Sequence, residues 1–317
     1  MNTNREELVI QTFEQLLSFA ATLPPKRVAV VSPSSAETFD ALRDAARALN
    51  VSFVCTGDGE LIARELSARG IETGRAAIIP AGETRGALRA AIDAVREGRA
   101  DILMKGGVDT ATMMREVLDG ARGLRTGKLL SDIFVLEYPP REGNKFIMIT
   151  DGGMTLAPDL KNKVELIINA VAVAHALGNA EPKVAVLSAT EFVIPGLQST
   201  LDAAALSKMN ERGQIRGCIV DGPFALDNAI SVEAASEKRI RSAVAGRAEI
   251  LVAANIESAN SLAKSTTYFA GLRLAHVIVG GKAPILIPSR ADRADAKLLS
   301  IALGVIMSAR RVPADED

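Results

Sequence analysis

The segment Ser289-Arg-Ala-Asp-Arg-Ala-Asp295 carries a hydroxyl, guanidinium groups and carboxylates shortly after a short apolar run. That run, Ile285–Ile287, predicts a buried strand that ends at Pro288, and an apolar helix over roughly 296–307 follows. Open α/β sheets bind their ligands where the carboxyl end of a strand meets the amino terminus of a helix. The unpaired N–H groups of such a helix and the planar fork of Arg290 both suit an anionic group. The segment therefore predicts an anion site.

A structural interpretation of the same segment stands beside this one, because Ser and Asp are common helix caps and an arginine is usually solvated. Three further segments repeat the pattern of strand, turn and polar residues, and their number favours the anion site. In one of them, Lys105 and two glycines follow a strand and could surround an anion with positive charge and backbone N–H groups. The three segments are Met104-Lys-Gly-Gly-Val-Asp-Thr110, Ile149-Thr-Asp-Gly-Gly-Met154, and the predicted strand Ile215–Val220 with Asp221-Gly-Pro223.

These segments, together with the fifteen-residue run Gly217–Ser231, resemble the phosphate acetyltransferase and phosphate butyryltransferase family. The matching segments occur in the same order as in the family and cover nearly the whole chain. Their residues are closer to those of the butyryl branch. The resemblance implies reversible transfer of a short acyl group, in which acyl-CoA and inorganic phosphate give acyl phosphate and coenzyme A. Coenzyme A is then a co-substrate, no cofactor stays permanently bound, no metal is needed, and a homodimer is expected.

Strand and helix signals alternate along the chain, which predicts an α/β fold with mostly parallel sheets. An exception is the pair of strands Asp132–Glu137 and Lys145–Thr150, which a turn connects in antiparallel fashion. The resemblance implies two α/β/α domains with a cleft between them. Since the composition shows no linker, the domain boundaries also rest on the resemblance: residues 1–149 with 290–317 form one domain, and residues 150–289 form the other.

The resemblance also assigns roles to individual residues. Ser289 and Arg290 are expected closest to the reacting atoms, where Arg290 suits the phosphate and Ser289 can donate to a phosphate or carbonyl oxygen. The coenzyme A thiol titrates near ~8.5 and needs a carboxylate that accepts its proton. Acetyl members carry an Asp for this purpose seven residues after the Ser, but that position is Ala296 here. Asp295, one residue earlier in the first helical turn, and Asp292 are therefore both candidates for the base.

Eight further residues are candidates for substrate binding, because they stand in the family segments or share a helix face. Asn260 and Lys264 lie four residues apart on a predicted helix, and a solvated polar face explains them equally well. The eight are Lys105, Gly106, Thr110, Asp151, Asp221, Asn228, Asn260 and Lys264.

The composition argues against several other classes of protein. With 37 Lys and Arg against 38 Asp and Glu, the net charge is −1, and only 3% of the residues are aromatic. The chain therefore has neither a basic field for nucleic acid or an anionic membrane nor many stacking surfaces for bases. The start of the sequence is polar, unlike a signal peptide, and no apolar run is long enough to span a bilayer. Two cysteines fit a reduced compartment, so a cytoplasmic protein is expected.

Two other functions stay open. A metal-dependent decarboxylating dehydrogenase shares a two-domain architecture, but it needs clustered metal-binding carboxylates and a nucleotide-binding loop, and the sequence shows neither clearly. A catalytically silent relative could bind coenzyme A or a metabolite as a sensor, and the intact pair of Ser289 and Arg290 argues against it. Within the acyltransferase class, acetyl-CoA is the alternative main substrate to butyryl-CoA or propionyl-CoA.

Overall fold

Residues 9–138 and 145–310 are described by the computed structural model of the protein. The strands are β1 (Lys26–Val31), β2 (Val51–Gly57), β3 (Ala76–Pro80), β4 (Ile102–Lys105), β5 (Ser131–Tyr138), β6 (Lys145–Thr150), β7 (Lys183–Leu187), β8 (Ile219–Phe224), β9 (Ile250–Val252), β10 (Leu274–Val279) and β11 (Ile285–Leu286). The helices are α1 (Phe13–Ala21), α2 (Ala36–Ala48), α3 (Gly59–Ala68), α4 (Thr84–Arg96), α5 (Thr110–Val117), α6 (Leu160–Ala176), α7 (Gln198–Glu211), α8 (Leu226–Ile230), α9 (Val232–Glu237), α10 (Ile256–Tyr268) and α11 (Ala294–Ala309). No helix in either described range is long and apolar enough to cross a membrane.

The chain divides into two units. The mid-chain unit comprises residues 1–12 and 129–274, and the flanking unit comprises residues 13–128 and 275–317. These limits differ from the domain boundaries expected near residues 150 and 289. Strand pairing gives the reason, because β6 stays with its antiparallel partner β5, and β11 pairs with β4 inside the flanking unit.

The sheet of the flanking unit runs in the order β3-β2-β1-β4-β11-β10. Its neighbouring strands are parallel except β10 and β11. β1 is buried from Val28 to Val31, which is typical of a parallel strand covered on both faces. α2 begins after its cap Ser35 and buries Phe39 and Leu42, which are three residues apart and so share one face. Since β1, β4 and β11 are mutually parallel, their carboxyl ends lie at one edge of the sheet.

The sheet of the mid-chain unit runs in the order β5-β6-β9-β7-β8. β5 and β6 are antiparallel, with Phe134 opposite Ile149, and the other neighbours are parallel. The side chains of Leu136, Phe224 and Leu251 belong to one buried cluster in this unit. The predicted α/β class with mostly parallel sheets is thus confirmed, and so is the antiparallel strand pair.

One predicted element lies outside the described residues, and another differs from its predicted limits. The turn predicted between β5 and β6 falls on residues 139–144, which lie outside the described residues. The strand predicted over Ile215–Val220 is wrong in its limits, because β8 continues through Asp221, Gly222 and Pro223. β8 is the last strand in the order of its unit, and its pairing with β7 shifts at this point. An irregular edge strand accommodates a proline, which cannot donate to a regular ladder.

A buried ion pair connects two helices of the mid-chain unit. The Lys163 ammonium on α6 lies 2.5 Å from a carboxylate oxygen of Asp202 on α7, and both side chains are less than a tenth exposed. Asp202 also accepts a hydrogen bond from Gln198 at 2.8 Å. Removal of one partner from such a pair leaves an uncompensated buried charge.

We therefore expect Asp202→Ala to lower the free energy of unfolding by about 3–5 kcal/mol, because the buried Lys163 loses its partner. Chemical denaturation followed by circular dichroism measures the change. The matched control is Glu211→Ala, which removes the exposed ion pair with Lys208 on the same helix and should leave the midpoint unchanged. An equal loss of stability in the two variants would contradict the prediction.

Candidate functional site

A cavity of about 300 Å³ lies in the flanking unit, where β1, β4 and β11 end. Each of these strands is followed by a turn that contributes polar groups to the cavity. Its position agrees with the edge at which open α/β sheets bind ligands. The residues that line it are Ser34, Ser35, Thr38, Lys105, Gly106, Gly107, Pro288, Ser289, Arg290 and Lys297.

The two glycines after β4 allow its turn to approach the turn after β1 closely. A Cβ atom on Gly106 would lie 2.3 Å from the carbonyl oxygen of Val31, and one on Gly107 would lie 2.5 Å from the Ser34 hydroxyl oxygen. The Gly107 N–H donates a hydrogen bond to the Ser32 carbonyl at 2.7 Å. Only glycine fits these two positions without displacement of the backbone, because Cβ contacts this short do not occur.

Ser289 and Asp292 form a tight turn before α11. The Ser289 N–H donates to the Asp292 carboxylate at 2.7 Å, and the Asp292 N–H donates to the Ser289 carbonyl at 3.2 Å. The Lys297 ammonium donates to the Asp292 carbonyl from the first turns of α11. The cap position of α11 is Arg293, whose side chain makes no capping bond. The Asp292 carboxylate thus closes the turn that precedes the cap position of α11.

Positive charge dominates the cavity. The side chains of Lys105 and Lys297 are buried, and Arg290 is exposed. Burial lowers the pKa of Lys105, the neighbouring Arg290 lowers it further, and Asp292 raises it. Burial also lowers the pKa of Lys297, whereas the carboxylates of Asp292 and Glu37 raise it. Among the described residues the side chain of Lys105 has no hydrogen bond and no ion pair, so its ammonium is available to an anion.

Three predicted residues of the flanking unit do not line the cavity, namely Asp292 in the turn described above, Asp295 and Thr110. Asp295 is in the first turn of α11, as predicted, but its side chain is half exposed and pairs with Arg293 at 3.4 Å. Thr110 is the first residue of α5, which Asp109 caps by accepting a hydrogen bond from the Thr112 N–H. The structure thus brings Lys105, Gly106, Ser289 and Arg290 together.

The remaining candidates belong to the mid-chain unit, and two of them organise one loop. The Asp151 carboxylate accepts hydrogen bonds from the backbone N–H groups of Asp132, Gly153, Met154 and Thr155 at 2.9–3.2 Å. The Asn260 side chain donates to the carbonyl of Gly152, in the same loop, at 2.9 Å. Asp151 and Asn260 therefore hold the backbone that follows β6.

Three other candidates of this unit have separate surroundings. Asp221 accepts hydrogen bonds from the Ser207 hydroxyl at 3.1 Å and from the Gly222 N–H at 2.8 Å. Asn228 is fully buried and donates to Glu191 at 3.2 Å, whereas Lys264 is exposed on α10. Within the described residues, no hydrogen bond joins these three side chains to one another.

Four lining residues escaped the sequence analysis. Ser34, Ser35 and Thr38 stand where β1 ends and α2 begins, which is one more copy of the strand–turn–helix pattern. The polarity of Pro33-Ser-Ser35 was a usable signal, since it interrupts two apolar elements. Lys297 offered a weaker signal, namely a lone lysine in an apolar helix.

A cationic cavity at the carboxyl ends of parallel strands is the kind of site at which open α/β proteins bind ligands, and its charge suits a small anionic molecule. A family profile described as phosphate acetyl/butaryl transferase matches residues 68–305. A phosphate butyryltransferase of Clostridium beijerinckii is 42% identical over 301 residues, which cover 95% of this chain and 99% of that protein. A phosphate acetyltransferase of Thermotoga maritima is 48% identical over 222 residues, or 69% of this chain and 74% of that protein.

The fold agrees with these sequence relatives. The crystal structure of a branched-chain phosphotransacylase from Enterococcus faecalis V583 superimposes with a TM-score of 0.79 at 28% identity, covering 89% of this chain and 99% of that one. The chain belongs to the phosphate acetyltransferase and phosphate butyryltransferase family. The resemblance read from the sequence segments is confirmed.

The buried Asp151 carboxyl group should make the stability of the protein depend on pH. Burial raises its pKa to about 6, an effect that the nearby Asp132 strengthens and the backbone N–H groups of Gly153 and Met154 oppose. The folded state therefore holds the proton more tightly than the unfolded chain, for which the pKa is 3.8. The resulting stabilisation is complete below about pH 4 and is lost as the pH rises through about 6.

Compared with Asp151→Asn, the wild-type protein should lose up to about 3 kcal/mol of unfolding free energy between about pH 4 and about pH 6.5. Denaturant titrations at several pH values measure this difference. The control is Asp109→Asn in the flanking unit. A hydrogen bond from Thr112 lowers the pKa of Asp109, so its contribution changes only at more acidic pH. Parallel stability curves for wild type and Asp151→Asn would refute the prediction.

Proposed function

We propose that the protein is a phosphate acyltransferase that transfers a short acyl group reversibly between coenzyme A and inorganic phosphate. The observation that carries the proposal is the buried, unpaired Lys105 in a cavity that Ser289 and Arg290 also line. A lone buried cation is costly unless an anion compensates it. Inorganic phosphate is such an anion, and the family relatives named above are phosphate acyltransferases.

The lining residues support a direct transfer. A phosphate oxygen attacks the carbonyl carbon of the thioester, the new C–O bond forms, and the C–S bond breaks with departure of the thiolate. Arg290 and Lys105 hold the phosphate, and the Ser289 hydroxyl donates to a phosphate or carbonyl oxygen on which charge builds up. Two substrates held side by side need no covalent acyl-enzyme, because their orientation alone removes much of the barrier.

In the opposite direction, coenzyme A attacks acyl phosphate and its thiol must lose a proton. The contacts favour Asp292 over Asp295 as the acceptor. Asp292 is partly buried in the turn beside Ser289, whereas Asp295 is engaged with Arg293 on the surface. One oxygen of Asp292 accepts the Ser289 N–H, which leaves the other for the thiol. A positioned carboxylate of this kind contributes about 10²–10⁴-fold to the rate.

The proposal extends to properties that rest on the family and the composition. Coenzyme A acts as co-substrate, without a permanently bound cofactor or metal, and the enzyme works as a homodimer in the cytoplasm. Butyryl-CoA or propionyl-CoA is the preferred substrate, with acetyl-CoA as the alternative. Thr110, Asp151, Asp221, Asn228, Asn260 and Lys264 stay predicted substrate-binding residues. For Asp151 the contacts favour an indirect role, since backbone N–H groups already occupy its carboxylate.

The function is tested by release of coenzyme A from acetyl-CoA, propionyl-CoA and butyryl-CoA, with phosphate supplied or withheld. We expect release that depends on phosphate, continues in the presence of a metal chelator without nicotinamide, and is most efficient with butyryl-CoA or propionyl-CoA. Phosphate-independent hydrolysis at a similar rate would refute the acyltransferase proposal. A higher kcat/KM for acetyl-CoA would refute only the acyl preference.

Arg290 provides the sharpest mutational test. Arg290→Ala removes a charged donor to the phosphate, so kcat/KM should fall by about 10²–10³-fold with an unchanged melting temperature. Arg290→Lys should recover part of the loss, because an ammonium keeps the charge but lacks the bidentate fork. The matched control is Arg293→Ala, which removes an 88% exposed side chain three residues away and should leave turnover unchanged. Turnover close to wild type in Arg290→Ala would exclude a role at the phosphate.

A further inference from the structure

Lys297 occupies an unfavourable position for a cation. It lies in the first turns of α11, a helix that begins at Ala294, where the helix dipole is positive. Its side chain is only 3% exposed, so its charge also loses most of its hydration. Within the described residues its ammonium forms no ion pair within 4 Å. The charges of Asp292 and Glu37, which are farther away, only partly offset the lowering of its pKa by burial. A charge kept at such a cost calls for a function.

The contact made by Lys297 points to that function. Its ammonium donates to the carbonyl of Asp292. The N–H and the carboxylate of the same Asp292 both bond to the backbone of Ser289. A continuous chain of hydrogen bonds thus runs from Lys297 through Asp292 to Ser289, and Arg290 lies inside the turn that it closes.

The turn has few other supports. The cap position of α11, Arg293, supplies no side-chain cap. Within the part of the chain that the structure describes, the Ser289 hydroxyl accepts only a long hydrogen bond of 3.4 Å from the Ala291 N–H. Ser289 is half-buried, and Arg290 and Ala291 are exposed. Packing therefore does little to fix the orientation of these residues, and hydrogen bonds must do so.

We propose that Lys297 is a positioning residue, whose ammonium fixes the Ser289–Asp292 turn through the Asp292 carbonyl and thereby places Ser289 and Arg290. Its effect on turnover rests on the acyltransferase function proposed above, whereas its effect on the turn does not. A loss of preorganisation affects the transition state most, because misplacement of donors by about 1 Å costs up to about 10²-fold in rate.

The test compares Lys297→Met, which keeps the length of the side chain, with Lys297→Arg, which keeps the charge and donors. The matched control is Lys26→Met, because the Lys26 ammonium donates to the Ser308 carbonyl at the opposite end of α11, at 3.4 Å. Amide hydrogen exchange of the peptide over residues 286–293 reports on the turn and needs no substrate. Steady-state kinetics separate kcat from the KM for phosphate.

We expect exchange in this peptide to accelerate about tenfold or more in Lys297→Met, and kcat to fall by about 10- to 10²-fold with a smaller rise in the phosphate KM. Lys297→Arg should recover most of both effects, and Lys26→Met should show neither. If Lys297→Met does not fold, Lys297→Gln replaces it with the same expectations, because its shorter amide cannot reach the Asp292 carbonyl.

Unchanged exchange in the folded Lys297→Met variant, or in Lys297→Gln where that replaces it, would overturn the proposal. So would a rise in the phosphate KM without a fall in kcat, because that result marks Lys297 as a charge for phosphate rather than a support for the turn. Equal damage in Lys297→Arg and Lys297→Met would also overturn it. Wild-type protein without phosphate-dependent turnover would refute the proposed function alone, since the exchange measurement still decides the role of Lys297.

Discussion

The cavity of the flanking unit owes part of its positive charge to the Lys105 ammonium, whose side chain is buried at the carboxyl end of β4. Within the described residues this ammonium has no ion-pair partner, and removal of a charge from water costs several kcal/mol. β4 lies between β1 and β11, which holds the side chain in place despite this cost. An anion that binds beside Lys105 offsets it, so ligand binding and the stability of this unit are linked.

The sequence could predict those parts of the site that local signals specify. Lys105, Gly106, Ser289 and Arg290 each follow an apolar run, and a strand end is recognisable from such a run. Lys297 could not be recognised in this way, because its place beside Lys105 arises from the pairing of β4 with β11, far apart in the chain. The limits of β8 were missed for a related reason, since the irregular pairing with β7 that admits Pro223 is a tertiary feature.

Two of the acidic residues that were candidates for chemistry have their carboxylates directed at the backbone. Asp151 accepts four N–H groups in the mid-chain unit, and Asp292 closes the turn before α11. Short acidic side chains bond readily to nearby backbone groups, and this ability makes them frequent in turns. A carboxylate at a strand end is therefore ambiguous in sequence, and only its hydrogen-bond partners show whether it forms a turn, keeps an oxygen free to accept a proton, or does both.

The discontinuous course of the flanking unit has a consequence for protein synthesis. β4 leaves the ribosome early, whereas its neighbour β11 follows only after the whole of residues 129–274 has been made. One edge of β4 thus stays without its partner during that interval, and unpaired strand edges are sites of aberrant association. Translation of the last strand and helix both closes the sheet and delivers the second half of the anion cavity. A nascent chain that stalls before β11 would therefore expose an unpaired strand edge and carry an incomplete site at the same place.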